Sequence, residues 1–444
     1  MDNEILKALD QAEVRFVRIL WCDNANVIRA KAIHNKRLSA HFTHGVGITA
    51  AQQALPVMYD VPAAGSGLGP VGEVCLVPDW DTLTLLPYAK THARVMGDMV
   101  VNGKPWACCP RHFLKRAIAA AEVEGLEIRA AFENEFYLVQ ASAEGIVPTD
   151  DTVFASTLSM DLQQAVIDDI ADALLAQGVT VELYHPESGW GQQEISVLYS
   201  NALRAADQQI IFRETVKAIA RFHDLKASFL PKIWPNQAGS GCHIHLSLWQ
   251  DGKNLLPHVK GNGQLAPIAE HFIAGMLHHL PALMALTTPI PNSYRRLQPS
   301  CWSGAFRCWG FDNREAAIRV PTNPEPPSPT HLELKTVDAS ANPYLALGAV
   351  MAAGLDGIRR RLDLVHPVAL DPCTLKESER QNQGIERLPT NLGDSLEHLK
   401  QDELLLTALG PDLAKSFLAV RQAEWEAMKD WDLDAEVKLL LERY

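Results

Sequence analysis

The sequence contains no CxxC pair, no HExxH, no GxxxxGK[ST], no extended lysine- and arginine-rich run and no uncharged apolar stretch of membrane-spanning length. Each absence removes a class of function. The eight cysteines are scattered, and the one adjacent pair, Cys108–Cys109, lacks the spacing of a redox or zinc motif. Without HExxH or a thiolate cluster, a zinc protease or structural zinc site is excluded. The formal charge of −13, from 53 acidic and 40 basic residues, argues against nucleic acid or an anionic membrane as partner. The most apolar stretch, "ANPYLALGAVMAAGLDGI", carries Asn342 and Asp356 and reads as a buried helix rich in small residues. The first residues, "MDNEILKALDQAEVRF", are acidic and amphipathic, unlike a signal peptide. A reduced, cytoplasmic protein is the expectation.

What is present suits a globular protein of two domains. The chain has 444 residues, 47% apolar and 21% charged, more than one core usually takes. "VRFVRILWCD" followed by "VIRAKAIHN" predicts a hairpin, and "EVCLVPDWDTLTLLPY" and "HARVMGDMVVNGKPW" supply further strands. The Gly-, Ala- and Pro-rich segment 45–70 predicts a long loop. At "CCPRHFLKRAIAAAE" the pattern changes to a helix with Pro110 at its start, which places the boundary near residue 103: domains 1–103 and 104–444. Beyond it, helices such as "LQQAVIDDIADALLAQG" and "ALRAADQQIIFRETVKAIARFHD" alternate with short strands. Residues 320–330 predict a rigid Pro-rich loop, and the last thirty or so residues are helical.

The informative feature is a set of polar pairs at strand spacing. "AFENEFYLV" puts Glu133 and Glu135 on one strand face and Phe132, Asn134 and Phe136 on the other. His185 and Glu187, His243 and His245, and Glu333 and Lys335 repeat the spacing, with Glu194 seven residues after Glu187. An ordinary solvated face mixes Lys, Thr, Ser and Arg. Here Glu and His dominate, the ligands of a hard or borderline divalent cation. Five carboxylates and several imidazoles exceed what one ion needs, so two or more Mg²⁺ or Mn²⁺ ions fit better. Such ions commonly serve phosphates, and "GFDNREAAIRVP" supplies Arg314 and Arg319 for that charge.

The segments "FENEFYL", "GSGCHIHLSL", "NSYRRLQP", "NREAAIRVP" and "DASANPYLALGAVMAAGLDGI" resemble, in order and spacing, the signatures of glutamine synthetases, and the likeness extends over nearly the whole chain. The resemblance implies an α+β protein: a small N-terminal β-grasp domain and a catalytic domain on a curved antiparallel sheet flanked by helices. It implies a homo-oligomer, commonly a dodecamer of two hexameric rings with active sites between subunits. One metal ion would be held by Glu135, Glu187 and Glu194 and the other by Glu133, His243 and Glu333. Glu182, His185, Tyr199, His245 and Ser247 would contact ATP, and Arg314 and Arg319 the transferred phosphate. Gly239 and Arg296 would hold a glutamate substrate.

Departures from the family concern substrates. Ala238 replaces an asparagine beside Gly239; Lys335 and His331 replace arginines near the acyl phosphate and nucleotide. Lys for Arg forfeits the bidentate fork. In "LQPSCWSGAF", Trp302 stands where the family carries a glutamate that binds and deprotonates ammonium, and His44 aligns with the other carboxylate of that site. Such a site lacks the trap for a small cation but offers an aromatic face to an alkylammonium. The expected activity is therefore an ATP-dependent ligase joining glutamate to an amine other than ammonia through a γ-glutamyl phosphate. An authentic glutamine synthetase and a non-catalytic relative are the alternatives. The tyrosine that some bacterial members adenylylate has no counterpart in "ERLPTNLGDS".

Overall fold

The computed structural model describes residues 2–142, 145–258, 260, 263–324 and 327–444. The chain opens with helix α1 (Asp2–Gln11), then strands β1 (Phe16–Cys22) and β2 (Ile28–His34), the antiparallel hairpin that the sequence predicts. Strands β3 (Val46–Thr49), β4 (Glu73–Leu85) and β5 (His92–Val101) follow, and the sheet runs β2-β1-β5-β4-β3 with β1 and β5 parallel. A short β6 (Lys104–Pro105) pairs with β5. The expected loop from residue 45 is thus in part structured, as β3 and a 3-10 turn at Ala50–Ala54. Its four-residue strand is too short to show a period, and pairing with β4 supplies the order. Gly45 permits that pairing, because it is left-handed and a Cβ there would lie 1.9 Å from the Leu76 carbonyl oxygen.

Helix α2 (Pro110–Val123) starts with Pro110 in its first turn and Cys109 as its cap. It leads into β7 (Glu127–Ser142), the centre of the larger sheet, which pairs at its edges with β8 (Gly145–Pro148), and through β9 (Val181–Pro186) and β10 (Gln192–Val197) grows to one side. Short β11 (Ser200–Asn201) and β12 (Lys226–Ser228) also pair with β7. On the other side lie β13 (Cys242–Gln250), with β14 (Lys253–Asn254) beside it, then β15 (Phe306–Phe311) and β16 (Ala316–Val320). The Pro-rich loop is instead a ribbon of β17 (Thr322–Pro324) and β18 (Pro327–Pro329), residues 325–326 lying outside the described residues. With β19 (Leu332–Leu334) the order is β15-β16-β19-β13-β7-β10-β9, antiparallel except for β15–β16.

Helices α3 (Thr157–Leu175), α4 (Ala202–Phe222), α5 (Pro267–Thr287), α6 (Ser293–Arg296) and α7 (Pro343–Arg360) cover the sheet. Small residues in α7 allow close packing: a Cβ on Gly357 would lie 2.0 Å from the His271 carbonyl of α5. No described helix is long and apolar enough to cross a membrane. Behind β7, Phe136 packs on Phe212 and Phe229, and Asn134 is satisfied by Gln209 at 2.8 and 2.7 Å. Arg111 of α2 joins the two sheets' supports, pairing with Asp79 (2.8 Å), Asp98 (3.0 Å) and Asp207 of α4 (2.9 Å).

On α5, His279 is buried between Asp402 (2.6 Å) and Asp356 (3.0 Å). Burial opposes its charge, but the two carboxylates outweigh burial and raise its pKa. Burial likewise pushes Asp402 up, and His279 more than reverses this, leaving it lowered. The histidine's contribution is therefore fully present below its unfolded value of 6.5 and fades as pH rises through its folded one; the aspartate's fades only in acid. His279→Gln should cost more stability in urea unfolding at about pH 5.5 than at about pH 9. An equal loss at both would contradict the charged-pair reading.

Candidate active site

Register brings the strand-spaced pairs together. Glu133 of β7 faces His243 of β13, Glu135 faces Glu194 of β10, Glu194 faces His185 of β9, and His245 faces Glu333 of β19. Directly opposed residues share a face, so four carboxylates and three imidazoles project from one side of five adjoining strands. The apolar neighbours Phe132 and Phe136 are buried on the other side. Glu187 lies just past the end of β9, its carboxylate 3.2 Å from His185.

The cluster is strongly charged and poorly solvated. His243 Nδ1 meets Glu133 at 2.8 Å and Glu333 at 3.3 Å, and His245 Nε2 meets Glu133 at 3.3 Å. Glu333 also pairs with Lys335 at 3.1 Å and with Arg319. Burial disfavours ionised Glu133 and Glu333, but His245 and His243 around the first, and Lys335 and His243 around the second, hold both carboxyls well below the usual range. For His243, burial and Lys335 work against its charge, and the flanking glutamates raise its pKa nonetheless. The opposite end of the cluster has too few cations. Burial, then Glu133, Glu135 and Glu187, push Glu194 up to about 10, and burial with Glu187 raises Glu135 against the pull of His243.

These residues fit divalent cations. Donor atoms of three groups lie within 4.8 Å of one another: Glu133, Glu135 and His243; Glu133, His245 and Glu333; and His185, Glu187 and Glu194. His243 Nε2 is buried with no hydrogen-bond partner among the described residues and lies 3.8 Å from Glu135. A cation between them would satisfy the nitrogen and the excess negative charge together. His185 belongs to this geometry as much as to a nucleotide, since it touches both Glu187 and Glu194.

Beside the cluster a cavity of about 450 Å³ is lined by Glu182, Tyr199, His245, Ser247 and Arg319. His185 is not among its lining residues. Two members that the sequence reading missed bear on recognition. Trp249 stacks with Tyr199 at 6.2 Å and 26°, and Arg129 lies 4.0 Å above the Trp249 ring. The signal was there for Trp249: His243, His245, Ser247 and Trp249 continue one period-two face along β13. Aromatic planes backed by a guanidinium suit a flat heterocycle, and the Glu133–Arg319 end suits its phosphates. His331, 2.8 Å from His245, is kept neutral, with burial and then His245 drawing it down to about 4.

On the other side of the cluster, Arg296 is buried and donates to the carbonyls of Lys335 (3.1 Å) and Val337 (2.9 Å). Gly239 makes room for it: a Cβ there would lie 2.4 Å from Arg296 Cγ. Ala238 is held through its carbonyl by Tyr137 at 2.7 Å. Past Arg296 the chain turns through three left-handed residues, Ser300, Trp302 and Gly304. Trp302 is 58% exposed, with Arg314 6.0 Å over its ring. Arg314 is exposed and lies beside Trp302, whereas Arg319 sits in the carboxylate cluster.

Glu315, absent from the sequence reading, fixes this loop. It is 9% exposed and accepts the Trp302 amide at 2.8 Å. Burial pushes its carboxyl up, opposed by the backbone of Trp302 and Ser300 and by Lys335. A glutamate in the run Arg314–Arg319 carries no local mark of that role.

Two family models cover the chain: the glutamine synthetase N-terminal domain matches residues 3–106 and the glutamine synthetase catalytic domain residues 107–439. The chain is 38% identical over 436 residues to the gamma-glutamylpolyamine synthetase GlnA3 of Streptomyces coelicolor, covering 95% of this chain and 92% of that protein. It is 34% identical over 421 residues to the glutamine synthetase of Pyrococcus furiosus, with 95% and 92% covered. Among solved structures, a glutamine synthase homolog matches with TM-score 0.86 at 32% identity, over 97% of this chain and 99% of the other. A GmaS complex with ADP matches with TM-score 0.85 at 29% identity, over 98% of each. Across nearly its whole length, then, this chain belongs to the glutamine synthetase family, whose members are ATP-dependent ligases that form C–N bonds.

Proposed function

We propose that this ligase makes a γ-glutamyl amide from L-glutamate and an amine other than ammonia. The observation that carries the reading is Trp302, exposed on a loop fixed by Glu315 at the position where the family's ammonium-binding glutamate is expected. Ammonium needs a carboxylate to concentrate it and take its proton. An indole offers only its face, worth about 0.5–2 kcal/mol to an alkylammonium, or an apolar wall for a carbon chain. A relative named for a γ-glutamylpolyamine product agrees with this choice of amine.

Two displacements give the product. A γ-carboxylate oxygen of glutamate attacks the γ-phosphorus of ATP and ADP leaves. The amine nitrogen then attacks the carbonyl carbon of the acyl phosphate, expelling phosphate and losing a proton. Tyr199 and Trp249 would stack the adenine, with Glu182, His185, His245 and Ser247 around the nucleotide; Arg319 and Arg314 would steady the transferred group, and Arg296, Gly239 and Lys335 the glutamate. As the family resemblance implies, Glu135, Glu187 and Glu194 would hold one Mg²⁺ or Mn²⁺ and Glu133, His243 and Glu333, which meet at His243 Nδ1, another; such ions would neutralise phosphate charge. We also place the enzyme in the cytoplasm, where its eight free cysteines stay reduced, and in a dodecamer of two hexameric rings, where the exposed turn at His44 would reach a neighbour's site.

The second reading, an authentic glutamine synthetase, is favoured by the Pyrococcus furiosus relative. Phosphate release with ATP, Mg²⁺ and glutamate separates the two: alkylamines, polyamines, ethanolamine or aromatic amines should far outperform ammonia, and efficient glutamine formation would overturn the proposal. Trp302→Glu should raise ammonia use, and no gain would remove Trp302 from the amine site. Glu315→Ala should free the loop, so that amides of residues 300–304 exchange faster by the equivalent of about 1–3 kcal/mol. Unchanged exchange there would refute the role given to Glu315.

A further inference from the structure

A second cavity, of about 670 Å³, opens where β1, α4 and the C-terminal residues meet, and it shares no lining residue with the nucleotide cavity. From α4 it takes Arg213, Lys217 and Arg221, spaced four apart, so that three cations fall on one helix face. From β1 it takes Arg18. Like charges at this spacing repel each other, and nothing in the helix itself compensates for them except Glu214.

Arg18 donates from Nε to His92 at 3.0 Å, and the other charged groups of the cavity are mostly engaged elsewhere. Arg29 is held by Asp23 at 2.6 Å and Arg443 by the carbonyl of Val57. Among the carboxylates, Glu442 is taken by Lys226 at 2.6 Å and lies 3.9 Å from Arg221, leaving Asp60 and Glu214 to balance the remaining cations.

Arg213 decides the matter. It is 2% exposed, and its Nε and Nη1 have no hydrogen-bond partner among the described residues. A guanidinium cannot shed its proton to escape this, so a buried one needs an anion. Lys217 alongside donates to the Glu442 carbonyl at 3.0 Å, and burial followed by Arg213 draws its ammonium down to about 7. An anion in the cavity would relieve both groups together.

We infer that this cavity binds a small anion carrying two or more carboxylate or phosphate groups, gripped by Arg213, Lys217, Arg221 and Arg18. The ligand bridges the N-terminal sheet to α4, and α4 supports β7 through Gln209 and Asn134. Its effect is to tie the two parts of the chain together behind the catalytic strand.

The test uses the full-length protein without ATP or metal, titrated by calorimetry and thermal unfolding with citrate as the carboxylate probe and pyrophosphate as the phosphate probe. Saturable binding of either probe at one per chain, with a rise in Tm, is expected, and the responding probe assigns the chemistry. Lys217→Met and Arg18→Gln should each weaken it about tenfold, while Arg319→Ala, in the nucleotide cavity, leaves it intact. Arg213→Met should abolish it; should that variant fail to fold, the other two carry the test. Failure of both probes to bind the wild type would overturn the inference. So would binding lost in Arg319→Ala but kept in Lys217→Met.

Discussion

The site depends on the mutual repulsion of carboxylates that strand register forces together. Glu133, Glu135, Glu194 and Glu333 share one face of a sheet whose opposite face is apolar core, and Glu187 joins them from just past the end of β9. The protein's own cations reach only part of this set. Lys335, Arg319, His243 and His245 gather around Glu333 and Glu133, while Glu187 and Glu194 share His185 and Glu135 has only the far side of His243 at 3.8 Å. The resulting gradient of charge, compensated at one end and not at the other, prepares the sheet for divalent cations and, through them, for phosphates.

The rigid surroundings keep that arrangement from relaxing. Phe136 and the Asn134–Gln209 pair lock β7 to α4, and Arg111 locks α4 to the N-terminal sheet through three aspartates. A strand free to twist would turn its glutamates towards water. Selectivity, in contrast, is assigned to the loop around Trp302, whose left-handed residues are held by one buried carboxylate. Under the proposed function, the chemistry thus lies on the strands and the choice of amine on this loop.

How much was legible in the sequence follows from how local each feature is. The two faces of β7 follow from period-two alternation, and Pro110 marks the start of α2, because both signals lie within a few residues. The meeting of Glu133 with His243 spans 110 positions, and only register, or likeness to a family, brings them together. Residues 46–49 and the Pro-rich ribbon look like loop because their strands are short and rich in residues that favour turns; pairing partners make them strands. Glu315 and Arg213 were invisible for the same reason. Each is an ordinary charged residue until burial and the lack, or presence, of a partner give it a role.

Counting bound Mn²⁺ on the purified protein, by calorimetry or by electron paramagnetic resonance of the free ion, tests the carboxylate cluster most directly. Two or more ions per chain are expected, with Glu133→Gln and Glu194→Gln each weakening a different one. No Mn²⁺ binding at concentrations on the order of millimolar, or binding indifferent to both substitutions, would contradict a cation-holding site.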